Sequence, residues 1–139
     1  FHNIGRWAYG LQNLPESVEN YNQAHKSRKN SLLSCAFINI KKTSGERTAG
    51  KEVEYHATKY ASLIRKQIDI LSPKIIVFGG TYQIMKNHVM PEMAKISPRI
   101  HQYKDTICIN ANHPACTLKR TTIYDQVVLN YSNYLTHKD

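Results

Sequence analysis

The sequence predicts an α/β fold, a three-layer α-β-α sandwich built on a short, mostly parallel central sheet. Three observations carry that prediction. Short apolar runs of the kind found in strands buried on both faces occur at Leu32–Ile40, Lys74–Phe78 and Thr106–Ile109. Stretches with apolar residues at helical i, i+3, i+4 spacing separate them. Strands that alternate with helices cross over and run parallel, which places helices on both faces of the sheet.

In chain order, residues 1 to 13 predict a helix, with Ile4, Trp7, Ala8 and Leu11 on one face. A second helix is expected from about Glu16 into the basic cluster Lys26, Arg28 and Lys29. Leu32–Ile40 (LLSCAFINI) is then the first strand, followed by a polar, Gly-containing loop over Lys41–Lys51. From Glu52 to Leu71 the positions Ala57, Tyr60, Ala61, Ile64, Ile68 and Leu71 fit one helix, which Ser72-Pro73 ends. Lys74–Phe78 is the second strand, and Gly79-Gly80-Thr81 turns it into a helix near Tyr82–His88. Residues 91 to 105 read as irregular. Thr106–Ile109 is the third strand, and Tyr124, Val127, Val128, Tyr131 and Leu135 stripe a last helix.

The chain has 139 residues, which suits one domain with a core and is too few for two. Its opening, Phe1 to Trp7, has neither an initiator methionine nor a signal-peptide pattern. The chain is therefore expected to be part of a longer protein, with at least one strand upstream. No apolar run approaches the roughly 20 residues of a membrane span, so no membrane partner is expected. Cys35, Cys108 and Cys116 form an odd set without CxxC spacing, which argues against a disulfide framework or a metal site. Cys35 and Cys108 read as buried small hydrophobes, and a reducing, cytoplasmic setting is expected. No cofactor is expected. Nineteen Lys+Arg against ten Asp+Glu give a net charge of +9, an excess that points to a polyanionic partner, nucleic acid above all.

The segment Cys108–Cys116 (CINANHPAC) carries the most chemistry. A strand runs into Asn110-Ala111-Asn112 and delivers His113 against Pro114. Proline fixes its own φ and biases the preceding residue to extended backbone, so His113 sits at a rigid corner. Strand carboxyl ends are where ligands bind in α/β proteins, and three of them are expected to face one crevice: Asn39 to Lys42, Gly79 to Thr81, and Asn110 to Pro114. The Asn39 carboxamide offers a donor and an acceptor together, as reading a base edge requires, or it ties down a neighbouring loop. Gly79-Gly80 is a packing turn rather than a dinucleotide fingerprint. Tyr9, Tyr82 and Tyr103 are candidate base-stackers, and His56 is more a surface residue than a cleft residue.

Taken together, SLLSCAFINIKK, the stretch H-x₃-Y-x₃-IRKQIDILSPKIIVFGG and ICINANHPAC resemble the uracil-DNA glycosylase superfamily over roughly residues 32 to 136. The resemblance implies a single glycosylase-like domain over residues 1–139 that lacks its first strand and first motif. It implies a DNA-binding enzyme of base-excision repair, which hydrolyses the N-glycosidic bond of a flipped uracil-like base. Asn39 would face the base, and His113 would stabilise charge on the departing pyrimidine. Lys41, Lys42, Lys119 and Arg120 would contact DNA, with Leu118 as the wedge entering the duplex.

The sequence departs from that pattern at three points, one of them the absence of the cysteine ligands of the iron–sulfur branches. Nothing between Phe1 and Ser31 resembles the loop that carries the water-activating acid, and Ala115 stands where the family has serine after His-Pro. A catalytically inactive nucleic-acid-binding module on the same fold is the alternative. A nucleotide-binding α/β domain of another kind is a third reading.

Overall fold

A computed structural model of the chain describes residues 1–41 and 50–138. Helices α1 (His2–Gln12) and α2 (Tyr21–Leu32) come first, then α3 (Lys51–Lys59) and α4 (Ala61–Leu71). Strand β1 (Ile75–Gly79) and helix α5 (Tyr82–His88) follow. The chain continues through β2 (Ala94–Ser97), β3 (Ile100–Tyr103) and β4 (Thr106–Ala111), and closes with α6 (Arg120–Asp125) and α7 (Val128–His137). The fold is α/β, and the described residues form four strands in the order β1-β4-β3-β2.

The sheet alternates as its pleat requires. Ile75, Val77, Ile107, Ile109, Ala111 and Ile100 join a cluster with Trp7, Ala24, Tyr124, Val127 and Val128, from α1, α2, α6 and the start of α7. Ile76, Phe78, Cys108 and Tyr103 join a second cluster with Ala57, Ile64, Ile68 and Met85, from α3, α4 and α5. Helix α1 anchors the first cluster. Trp7 Nε1 donates to the Ile123 carbonyl (2.9 Å), and the Tyr124 hydroxyl to the Ser17 carbonyl (2.8 Å). Burial holds the Tyr124 phenol up to about 12 and the Cys108 thiol up to about 12.

Several expectations are corrected. Leu32–Ile40 is not a strand: Leu32 ends α2, residues 33 and 34 form a turn, and residues 35 to 39 have no regular structure. The backbone N–H groups of Leu33, Ser34 and Cys35 bond back to Asn30, Ser31 and Leu32, so the start of the run closes the helix. Of the remainder, Ile38 and Ile40 pack inward while Phe37 stays exposed. Cys35 is only half-buried.

The sheet is mixed rather than mostly parallel, since among the described residues β1–β4 is its one parallel pairing. Residues 91 to 105, expected to be irregular, supply β2 and β3. Their two-residue turns place Arg99 (φ 62°) and Lys104 (φ 51°) in the left-handed region that glycine usually fills. The helix expected over 52–71 divides at Tyr60 (φ −110°, ψ 20°), whose ring stacks on His56. His56 is therefore buried in α3 rather than solvated. The last helix divides at Gln126 and Val127.

His101 is buried on β3, where its Nδ1 shares a hydrogen bond with the Tyr82 hydroxyl (2.9 Å). Burial, with Lys95 and Lys86 nearby, lowers its pKa below 6.5. The unfolded chain therefore takes up this proton at a higher pH than the folded chain does. Stability is full above about pH 6.5 and falls as pH drops from there toward the folded-state value. Urea unfolding across pH 7.5 to 5 should show the midpoint falling below about pH 6.5. His101→Gln, which takes no proton, should remove part of that slope. An unchanged slope would show that His101 does not carry it.

Candidate functional site

The His113-Pro114 corner forms where β4 runs out beside β1. Gly79 lies opposite Ala111 in the parallel register, and the Gly80 N–H donates to the Ala111 carbonyl (2.8 Å). The corner then sits directly against the glycine pair. A Cβ on Gly79 would come within 2.8 Å of Pro114 Cδ, and one on Gly80 within 3.1 Å of His113 Cβ. Gly80 also has φ +76°, which few side chains tolerate. The turn is thus a seat for the corner.

Backbone and side-chain bonds hold every residue from Asn110 to Pro114. Arg99 donates to the Asn110 carbonyl (2.9 Å), and the Asn112 N–H donates to Oε1 of buried Gln126 (3.0 Å). The Cys116 N–H bonds the His113 carbonyl (2.9 Å), and Asn3 Nδ2 donates to the Pro114 carbonyl (2.6 Å). The Ala115 N–H donates to His113 Nδ1 (3.1 Å), so neutral His113 carries its proton on Nε2. His113 itself is exposed. The result is an imidazole of fixed tautomer at the surface.

A cleft of about 820 Å³ opens at this corner. The corner contributes His113, Pro114 and Ala115, the segment after α2 contributes Phe37 and Asn39, and α6 contributes Arg120. Phe1 and the first turns of α1 supply His2, Asn3, Ile4 and Arg6, while α2 supplies His25 and Arg28. Helices α1 and α2 approach closely at Gly5, where a Cβ would fall 2.0 Å from the Arg28 carbonyl oxygen. That contact brings the two arginines to one place. Arg6 is 3% exposed, donates to Asn3 Oδ1 (2.5 Å) and His25 Nδ1 (2.7 Å), and lies over the Tyr21 ring. Its Nε is buried without a hydrogen-bond partner. Arg28 donates to His2 Nδ1 (3.0 Å) and to the His25 carbonyl.

The cleft is electrostatically one-sided. Its described lining contains three arginines and three histidines and no carboxylate. Arg28 is the largest cause that lowers the pKa of His2. Burial and then Arg28 and Arg6 lower that of His25. Burial and the nearby Arg120 and Arg28 lower that of Arg6, against the opposing pull of Tyr21. With both histidine Nδ1 atoms occupied by guanidinium donors, the chemistry repels a metal cation and suits an anion.

Asn39, His113 and Arg120 therefore come together, although Asn39 is exposed on an irregular segment and not at a strand end. Lys41 does not join them. Its ammonium pairs with Glu52 (2.7 Å) and is largely buried. Lys42 lies outside the described residues. Leu118 and Lys119 are exposed in the loop leading to α6 without lining the cleft.

The expected aromatic residues are elsewhere: Tyr103 is buried, Tyr82 is bonded to His101, and Tyr9 packs in the core. Phe1 and Phe37 are the aromatic residues of the cleft. Asn3, Arg6, His25, Phe37 and Gln126 had not been singled out from the sequence, and Arg28 only as one of a basic cluster. Compared with known proteins, the chain matches no family model, no curated protein and no solved structure.

Gly80→Ala tests the seat. It should lose about 1–3 kcal/mol of stability in urea unfolding, from the positive φ together with the contact on His113. The His113 side-chain NMR resonances should shift with it. Wild-type stability and unmoved resonances would contradict the seat.

Proposed function

We propose that this protein binds DNA in the Asn39–His113 cleft and acts there as a base-excising N-glycosylase of the uracil-DNA glycosylase type. What supports the reading best is the convergence of Asn39 and His113, distant in sequence, in a cleft lined by Arg6, Arg28 and Arg120. The exposed Asn39 amide presents a donor and an acceptor to the edge of an extruded base. His113 Nε2–H, fixed by the Ala115 N–H on Nδ1, donates to the base carbonyl oxygen. As the bond from C1′ to the base breaks, its electron pair stays on the base, and that donor stabilises the resulting anion. Water adds at C1′, and the proton it loses passes to the departed base anion, leaving an abasic sugar and the neutral free base. The arginines hold the flanking phosphates. A reducing, cytoplasmic setting fits three unpaired cysteines.

One observation favours a second reading, binding without cleavage. Among the described residues no carboxylate lines the cleft to take the proton from water. Uracil-containing oligonucleotides, treated with the protein and then with alkali, distinguish the two. The glycosylase reading expects strand breaks that fall by about 10²- to 10³-fold in His113→Ala, the effect of removing one preorganised donor. Binding that weakens with salt but yields no abasic sites would leave the second reading. No binding at all would overturn both.

A further inference from the structure

We infer that the cleft is built for a single strand, with Arg6, Arg28 and Arg120 holding phosphates while the exposed Phe37 ring stacks on an unpaired base. The inference deepens, and rests on, the reading of this cleft as a nucleic-acid site. It comes from two surfaces of different chemistry in one depression. The first is the guanidinium cluster. Arg6 is 3% exposed, yet its Nε has no partner, and no carboxylate stands among the described lining residues. A guanidinium buried with no carboxylate beside it is costly, and an anion held in the same cleft offsets that charge. Asn3 joins this cluster to the His113 corner, accepting from Arg6 and donating to the Pro114 carbonyl.

The second surface is aromatic. Phe37 is 49% exposed and meets the Phe1 ring edge to face, with ring centroids 6.2 Å apart. Phe37 lies two residues before Asn39, so a ring that can stack and an amide that can read a base edge arrive on one short segment. A duplex hides the faces of its bases and offers this cleft only phosphates. Inorganic phosphate uses the arginines alone. A single strand supplies the negative charge and the aromatic face together.

Fluorescence anisotropy of the full chain decides among these ligands, using a labelled oligothymidine, a duplex containing the same strand, and unlabelled inorganic phosphate as competitor. The single strand should bind at least about tenfold more tightly than the duplex. Phe37→Ala should weaken single-strand binding about tenfold, as loss of one base–aromatic stack does, and leave duplex binding unchanged. Arg28→Gln and Arg120→Gln should each lower the slope of log affinity against log salt by about 0.7. Phosphate should compete less well against Arg28→Gln than against wild type. None of these side chains belongs to the buried core, and circular dichroism checks that each variant folds.

Equal or tighter duplex binding, or a silent Phe37→Ala, would overturn the single-strand assignment and leave the nucleic-acid reading standing. Unchanged salt slopes in both arginine variants would overturn the phosphate assignment. Failure of both DNA forms to bind would overturn the inference and the reading beneath it.

Discussion

The parallel pairing of β1 with β4 sets the position of the His113 corner on which the cleft is built, because it brings two chain reversals to the same end of the sheet. At that end β1 must turn into α5 and β4 must turn toward α6. The first reversal is made of glycine, and the second of a histidine locked to a proline, which packs where side chains would otherwise stand. A corner held by its backbone on both sides leaves the imidazole at the surface without letting it wander. Pre-organisation of this kind lets one donor matter in an open cleft, since no reorganisation is needed when a ligand's oxygen arrives.

The charge distribution gives that geometry its direction. Close packing of α1 on α2 at Gly5 brings Arg6 and Arg28 together, and α6 adds Arg120. Arg120 and Arg28 act on Arg6, and the same positive charges help lower the pKa values of His2 and His25. Cations gathered without a carboxylate among the described lining residues favour an anion, which sets this cleft apart from a structural ion-pair network. Among the described residues the paired cations sit elsewhere, as Lys41 on Glu52, Arg65 on Glu92 and Lys104 on Asp69 show. Net charge alone does not make that distinction; the absence of carboxylates from the described cleft lining does.

Much of this was legible in the residues. The apolar stripe of Ile4, Trp7, Ala8 and Leu11 gives α1, and the KIIVFGG and CINANHP segments give β1, β4 and the corner between them. The β2–β3 hairpin was not legible, because its turns use Arg99 and Lys104 at positive φ and β2 is largely exposed, so neither turn chemistry nor alternation announces it. Leu32–Ile40 misled because a helix end and an inward-packing irregular segment together make a run as apolar as a strand. Asn39 thus reaches the cleft by a route other than the expected one. Arg6, Asn3 and Gln126 carry no local signal, since their roles depend on partners remote in sequence, at His25, Pro114 and Asn112.

The central claim is that the His113 corner, the Phe37–Asn39 segment and the α1–α2 arginines make one ligand site. Photo-crosslinking to a single strand bearing 5-iodouracil, followed by mass spectrometry of the joined peptides, tests it most directly. The account predicts crosslinks on the peptides that contain Phe37 or His113. Crosslinks gathered on the exposed face of α4 or on α7, with none at either residue, would contradict it.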